Sequence, residues 1–180
     1  ATLAVTYTNN VDGGDGIATF TARSCSVTQR NTIIECQTQP GFGAGMKVTV
    51  AVSGASVGSA TSIDTISYTS PNITSITAPL LRTAGNEDVL LIGTNMGSPV
   101  GLKLDAEYGS GGSGYCAQQC AVYTANTVVK CRSVPGSGSL HRWRVGAFAH
   151  GWQSGISFAG VTTSYTPPSL TSITLDDGVS

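Results

Sequence analysis

Charge is scarce in this sequence. Asp, Glu, Lys and Arg together make up 11% of its 180 residues, and the net charge is −1. A protein that binds nucleic acid needs a basic face to neutralise phosphates, and nine Lys and Arg residues are too few to build one. We therefore expect no nucleic-acid partner.

Long apolar runs and helix-forming surface residues are scarce as well. No stretch approaches the roughly 20 apolar residues of a membrane-spanning helix, so we expect no membrane insertion. Glu, Lys and Arg, which favour helices, are rare, whereas Gly (23 residues), Ser and Thr are frequent. The composition therefore predicts an all-β protein whose surface carries hydroxyl groups rather than charges.

The chain contains an internal repeat. Its clearest copies are Cys25–Cys36 and Cys120–Cys131, which share ten residues between the cysteines, a central Asn-Thr and a β-branched pair before the second cysteine. A Pro-Gly-x-Gly turn follows each block at the same offset. Ser-Tyr-Thr-x-Pro, at 67–71 and 164–168, recurs at an offset two residues larger, which predicts a two-residue insertion near His150. The repeat predicts two homologous domains.

Each copy shows the alternation typical of half-buried strands. The stretch Met46–Val52 alternates apolar with polar residues, and Trp143 and Val145 alternate with arginines. Short strands between Gly, Asn and Pro turns, over domains of about 100 residues, favour an antiparallel β-sandwich.

The order of these motifs resembles the IPT/TIG family. Pro-x-Ile-Thr-Ser-Ile at 71–76 and Leu-Leu-Ile-Gly-Thr-Asn-Met-Gly at 90–97 carry the resemblance, with Cys-x10-Cys, Pro-Gly-x-Gly and the closing Ser-Tyr-Thr-x-Pro. It covers nearly the whole chain as a tandem. The chain departs from the family at 84–87, where Ala-Gly-Asn-Glu stands instead of the frequent Gly-Gly-Thr. The resemblance implies two immunoglobulin-like sandwiches in an extracellular or cell-surface protein that is not itself an enzyme.

The expected domain boundaries do not coincide with the ends of the sequence. We expect an IPT/TIG-like domain over 1–69 that lacks its first strand, and a complete one over 70–167. Residues 1–9 then correspond to 88–95, the second strand of the complete domain. An orphan first strand is expected over 168–180.

The orphan strand predicts head-to-tail association. Its apolar residues Leu170, Ile173 and Leu175 would complete the 1–69 domain of the next subunit or repeat. Such a contact does not close on itself and generates a filament. The sequence therefore predicts a structural subunit of an extracellular fibre whose partner is itself. One continuous multi-repeat chain and a plain fragment of a longer protein remain alternatives, as do a receptor or adhesin ectodomain that binds protein or carbohydrate and an accessory domain of an extracellular enzyme.

The cysteines indicate an oxidising compartment. Equivalence of the repeats pairs Cys25 with Cys36 and Cys120 with Cys131 as disulfides. Cys116 has no counterpart in the first copy. We expect it to be unpaired, with a bond to Cys120 or to another chain as the alternatives.

Covalent glycans are the second expected partner. Asn72-Ile73-Thr74 is an N-glycosylation sequon. Candidate sites of O-glycosylation or proline hydroxylation lie at the repeat junctions, at Ser70, Pro71, Thr166, Pro167 and Pro168. Such a coat would supply the solubility that charge does not.

No catalytic or metal site is expected. His141 aligns with Met46 at an inward apolar position, which predicts a histidine in the core or at its rim rather than a catalytic base. The Gly-rich loop Asp12–Gly16 lacks the acidic spacing of a calcium loop. We expect no cofactor and no enzymatic activity.

Overall fold

A computed structural model of the chain describes residues 2–8, 19–41, 43–54, 58–99, 104–112, 114–146, 154–156 and 161–173. Within these ranges every regular element is a β-strand, apart from a three-residue 3-10 turn at Ser110–Gly112. The chain is therefore all-β, as the composition predicts. The loop Asp12–Gly16, His150 and Leu175 lie outside the described residues.

Two sheets precede Pro71. Their strands are β1 (Thr2–Thr8), β2 (Thr19–Thr21), β3 (Arg23–Gln29), β4 (Ile33–Gln37), β5 (Met46–Ser53) and β6 (Gly58–Ile66). Four of them form an antiparallel sheet in the order β2-β1-β5-β6, and β3 and β4 form a separate hairpin. We call this part of the chain the first repeat.

Two sheets, of four and six strands, follow in what we call the second repeat. Their strands are β7 (Asn72–Ile76), β8 (Leu80–Leu81), β9 (Asp88–Thr94), β10 (Asp105–Gly109), β11 (Tyr115–Cys116), β12 (Gln118–Thr124), β13 (Val128–Arg132), β14 (His141–Gly146), β15 (Ser154–Ile156) and β16 (Thr162–Tyr165). One sheet has the order β12-β13-β9-β7, and the other has the order β11-β10-β14-β16-β8 with β15 also paired to β14.

One core joins the two sheets of the second repeat. Fourteen buried apolar side chains form a single cluster, and twelve of them lie on strands of the two sheets, which makes this repeat a β-sandwich. Trp143 lies fully buried within it, stacked on Tyr108 with ring centroids 4.3 Å apart. Its indole N–H donates to the hydroxyl of Thr163 at 3.0 Å, so the buried polar atom is satisfied.

The strand registers show how the two repeats correspond. Tyr7 in β1 lies opposite Val48 in β5, and Tyr108 in β10 lies opposite Trp143 in β14. Val48 and Trp143 are separated by the same offset as the repeated cysteines. β1 is therefore the counterpart of β10, and the alignment of residues 1–9 with 88–95 is wrong. The alternating sequence of β1 is compatible with the position of β9 and with that of β10. Of these two strands, however, only β10 pairs with β14, which is the counterpart of β5.

The first repeat is therefore shorter than expected by more than one strand. Among the described residues before Pro71, none forms a counterpart of β7, β8 or β9. This three-strand segment, Asn72–Thr94, lies entirely before β10 in the chain. It contributes Ile73, Leu81, Val89 and Leu91 to the core of the second repeat, all of them fully buried.

The two-residue insertion also lies elsewhere than expected. The pair Thr49 and Thr61 corresponds to the pair Arg144 and Ile156, so up to this point β6 follows the offset of the cysteine motif. The pair Met46 and Ile66 corresponds to the pair His141 and Thr163, so the end of β6 follows the offset that is two residues larger. The extra residues therefore fall between Ile156 and Thr162, not near His150. β6 corresponds to β15 and β16 together.

The C-terminal segment, which we define as Pro168–Ile173, forms no strand. Leu170 and Ile173 are 78% and 74% exposed. By the offset of the Ser-Tyr-Thr motif they correspond to Ile73, which is fully buried, and to Ile76, which is half-buried in β7.

Candidate interaction site

The β3–β4 hairpin is built in the same way as its counterpart, β12–β13. Asn31 and Asn126 occupy the left-handed region at the two turns, with φ of 65° and 63°. Ser24 and Gln119, each one residue before a cysteine, do the same at a bulge. The shared motif therefore specifies the hairpin in both repeats.

A disulfide fixes each hairpin. Cys25 is bonded to Cys36 and Cys120 to Cys131, with Cα–Cα distances of 4.1 Å in both. These are the two pairs that the repeat predicts. Cys116 is free and exposed in β11, opposite Glu107 of β10.

The surroundings of the two hairpins differ sharply. In the second repeat β13 pairs with β12 on one side and with β9 on the other, over Val128–Arg132. In the first repeat β4 pairs with β3, and no other described strand pairs with it. We call the free side of Ile33–Gln37 the open edge. An unpaired edge of this kind is a template for another strand.

Apolar side chains are exposed on the hairpin that carries the open edge. Val27, Ile33 and Ile34 are 57%, 45% and 39% exposed. Their counterparts in the second repeat are Val122, Val128 and Val129. Val129 is fully buried, Val122 is buried and Val128 is half-buried. The same apolar positions are thus covered in one repeat and uncovered in the other.

A second edge is also unpaired in the first repeat. In the second repeat β8 runs parallel to β16. The carbonyl of Pro79, just before β8, accepts a hydrogen bond from the N–H of Ser164 (2.8 Å), and the carbonyl of Leu81 accepts one from the N–H of Thr166 (2.7 Å). Ser67 and Thr69 are their counterparts, and within the described residues no backbone acceptor faces either N–H. Both unpaired edges therefore lie where Asn72–Thr94 has no counterpart.

An equivalent pair of hydrogen-bonded tyrosines is present in each repeat. The hydroxyls of Tyr7 and Tyr68 are 2.9 Å apart, and those of Tyr108 and Tyr165 are 2.6 Å apart. Each pair also forms two hydrogen bonds with one backbone residue. In the first repeat the N–H of Gln39 donates to the hydroxyl of Tyr7, and the carbonyl of Gln39 accepts from Tyr68. In the second repeat the N–H of Val134 donates to the hydroxyl of Tyr108, and the carbonyl of Val134 accepts from Tyr165. Loss of solvent on burial, and then the hydrogen bond to the other tyrosine, raises the pKa of both Tyr68 and Tyr165.

The Pro-Gly-x-Gly turns lie against these tyrosines. A Cβ atom at Gly41 would come within 2.6 Å of the Phe20 ring, and one at Gly136 within 2.7 Å of Tyr115 and Tyr165. A side chain at either position would therefore push the aromatic rings aside. This close approach explains why the turn recurs with glycine in both repeats.

His141 is a buried histidine of the core, as its alignment with Met46 predicts. Its Nε2 lies 3.0 Å from the carbonyl oxygen of Ser137, and its ring meets those of Tyr108, Tyr115 and Tyr165 edge to face. The histidine therefore packs inside the aromatic cluster.

The predicted glycosylation positions differ in their surroundings. Asn72 is half-buried at the start of β7, and Thr166, Pro167 and Pro168 are exposed. Pro71 is buried, so its ring has no room for a sugar in this conformation. The carbonyl of Ser70 accepts a hydrogen bond from the side-chain amide of Asn95 at 3.3 Å. The hydroxyl of Thr166 donates to the carbonyl of Leu81 at 3.1 Å.

No protein-family model matches the chain, and no curated protein matches it. The described residues include no helix long and apolar enough to cross a membrane. The two disulfides are typical of extracellular or secreted proteins.

Proposed function

We propose that the chain is a structural unit of an extracellular fibre made of tandem immunoglobulin-like domains of the IPT/TIG type. Successive units join head to tail. The segment that begins at Pro168 completes the first repeat of the next unit, either between separate subunits or within one continuous multi-repeat chain.

One observation carries this proposal: the hairpin with the open edge exposes apolar positions that are covered in the second repeat. The second repeat, in the same chain, provides the template for the strands that would cover these apolar positions. Moving a half-exposed aliphatic side chain into a core gains about 1 kcal/mol, so Val27, Ile33 and Ile34 together favour a partner. The exposed Leu170 and Ile173 supply the complementary apolar residues on the segment that such a partner would offer.

The two disulfides and the low charge support the extracellular part of the proposal. Fibres outside the cell meet oxidising conditions, in which Cys25–Cys36 and Cys120–Cys131 persist. Glycans at Asn72 and Thr166 would hydrate a surface that carries few charged side chains. Mass spectrometry of tryptic peptides from the native source tests this part, and unmodified Asn72 and Thr166 would contradict it.

Self-association of the purified chain tests the head-to-tail contact. We expect the chain to associate as its concentration rises, in sedimentation velocity, and to form linear particles in negative-stain micrographs. The double change Leu170→Asp with Ile173→Asp should abolish association, because two charges would enter the apolar contact. On the receiving side, Ile34→Asp should do the same.

Matched controls carry the same charges at positions that face solvent. Thr171→Asp with Ser172→Asp lies in the same segment, where the counterparts Thr74 and Ser75 of β7 are exposed. Thr28→Asp lies in β3, where the counterpart Tyr123 is 69% exposed. Both controls should associate as the unchanged chain does. A chain that stays monomeric at every concentration, or controls that fail equally, would refute the proposal.

A further inference from the structure

We infer that the occupant of the open edge is a second copy of the three-strand segment Asn72–Thr94, which enters both sheets of the first repeat at once. This inference rests on the proposed head-to-tail association, because it names the partner at the same edge. It widens the completing element from a single strand to a unit of β7, β8 and β9.

β9 is the strand that belongs beside β4. In the second repeat β13 pairs with β9 from Val128↔Ile92 to Arg132↔Asp88. Transferred to the first repeat, this register places Leu91 of the incoming copy opposite Ile34 and Val89 opposite Cys36. Val89 and Leu91 are both fully buried where they occur in the chain. The incoming strand would therefore cover the apolar side chains of the open edge.

β7 alone cannot fill this place. It pairs with β9, at Asn72↔Thr94 and Ile76↔Leu91, and it has no pairing with β13. The C-terminal segment corresponds to β7, so Leu170 and Ile173 can contact the exposed apolar side chains of the hairpin but cannot supply the backbone pairing that β9 gives. The C-terminal segment is thus the outer strand of the completing unit.

β8 is the strand that belongs beside Ser67–Thr69. Only six residues separate β8 from β9, so a copy that brings β9 to the open edge also brings β8 to the other sheet. There the carbonyls of Pro79 and Leu81 in the copy would accept from the free N–H groups of Ser67 and Thr69, as they do from Ser164 and Thr166. The two unpaired edges of the first repeat therefore have one common occupant.

A chain extended at its N-terminus tests the inference. Tyr7 corresponds to Tyr108, so Ala1 corresponds to Leu102, and a copy of residues 71–101 joined before Ala1 preserves the natural spacing. We expect hydrogen exchange to slow by about 100-fold or more at those amides of Ile33–Gln37 that point to the open edge, because they become paired in a core strand. The Val128–Arg132 amides serve as the internal reference and should not change.

Two control extensions separate the three-strand unit from a single strand. An extension of 71–77 alone supplies β7 without β9 and should leave exchange at Ile33–Gln37 unchanged. The full extension with Val89→Asp and Leu91→Asp in the copy should give no protection either. As a second measurement, a synthetic peptide of residues 71–101 added to the unextended chain should bind one to one and protect the same amides.

The outcomes distinguish the inference from the proposed function. Equal protection by the short and the full extension, or none by the full extension and the peptide, would overturn the inference even if the unextended chain self-associates. Protection by the full extension in a chain that does not self-associate without it would uphold the inference and refute the head-to-tail association. We also expect the extended chain to have lost its open edge and to bind no peptide.

Discussion

The hairpins β3–β4 and β12–β13 have nearly the same sequence motif, turn, bulge and disulfide, yet opposite surroundings. Val129 is fully buried and Ile34 is 39% exposed, although both stand two residues before the second cysteine of the motif. The motif therefore specifies the local shape, and the neighbouring strands decide what is buried. The difference between the repeats comes from Asn72–Thr94, the segment that only the second has among the described residues.

The largest contrast is expected at equivalent central positions of β14 and β5. Trp143→Ala should destabilise the second repeat by about 3–5 kcal/mol, because it leaves a large cavity in a closed core. The counterpart Val48→Ala, at a half-buried position, should cost about 1 kcal/mol or less. Chemical denaturation with exchange mass spectrometry resolves the two repeats. Equal losses would mean that the first repeat has a closed core of its own.

The disulfides should differ in their local rather than their global effect. Replacing either pair by serines should cost about 2–4 kcal/mol through the entropy of the unfolded chain. Without Cys25–Cys36, β4 retains only β3 as a partner, so its amides should lose protection well below the global unfolding energy. Without Cys120–Cys131, β13 is still held by β9. Similar local exchange in the two variants would contradict this distinction.

Matched truncations at the equivalent hairpin position sharpen the comparison further. Val129→Ala should cost about 2 kcal/mol, whereas Ile34→Ala should stay within about 0.5 kcal/mol. In the chain extended by residues 71–101, the cost of Ile34→Ala should rise towards that of Val129→Ala. A cost that is unchanged by the extension would show that the copy does not cover Ile34.

The tyrosine pairs give the smallest contrast and a dependence on pH. Tyr68 and Tyr165 have folded-state pKa values above their ordinary value near 10, so the folded state favours their neutral form. Their contribution to stability should be complete below pH 10 and decrease as pH rises further. Tyr165→Phe should cost about 1 kcal/mol and weaken this dependence, and Tyr68→Phe should cost less because Tyr68 is only half-buried. Unfolding curves between neutral and alkaline pH measure both effects, and equal curves for Tyr165→Phe and the unchanged chain would contradict them.

Much of the local structure could be predicted from the sequence. The spacing of the cysteines within a repeated block identified both disulfides, and the alternation over Met46–Val52 identified β5. The inward position of His141 followed from its alignment with Met46. These features depend on neighbours close in the chain or on the repeat itself, so the pattern carries enough information.

The identity of β1 could not be predicted from its alternation. Leu3, Val5 and Tyr7 fit the pattern of β9 as well as that of β10, because a period of two identifies a strand but not its neighbours. The signal that separates the two is the tyrosine pair, since the tyrosine of β10 meets the last residue of β16, Tyr165, as Tyr7 meets Tyr68. Without that contact, the first repeat appeared to lack one strand instead of three.

The disulfide between Cys25 and Cys36 has a consequence for the proposed head-to-tail assembly. Because it holds β4 against β3 before any partner arrives, the receiving strand is preorganised and loses little entropy when the incoming segment binds. Association with an already ordered edge depends mainly on encounter and alignment of the partner. Reduction of this bond would add the cost of ordering the hairpin to every junction, so redox conditions would control the rate at which units join.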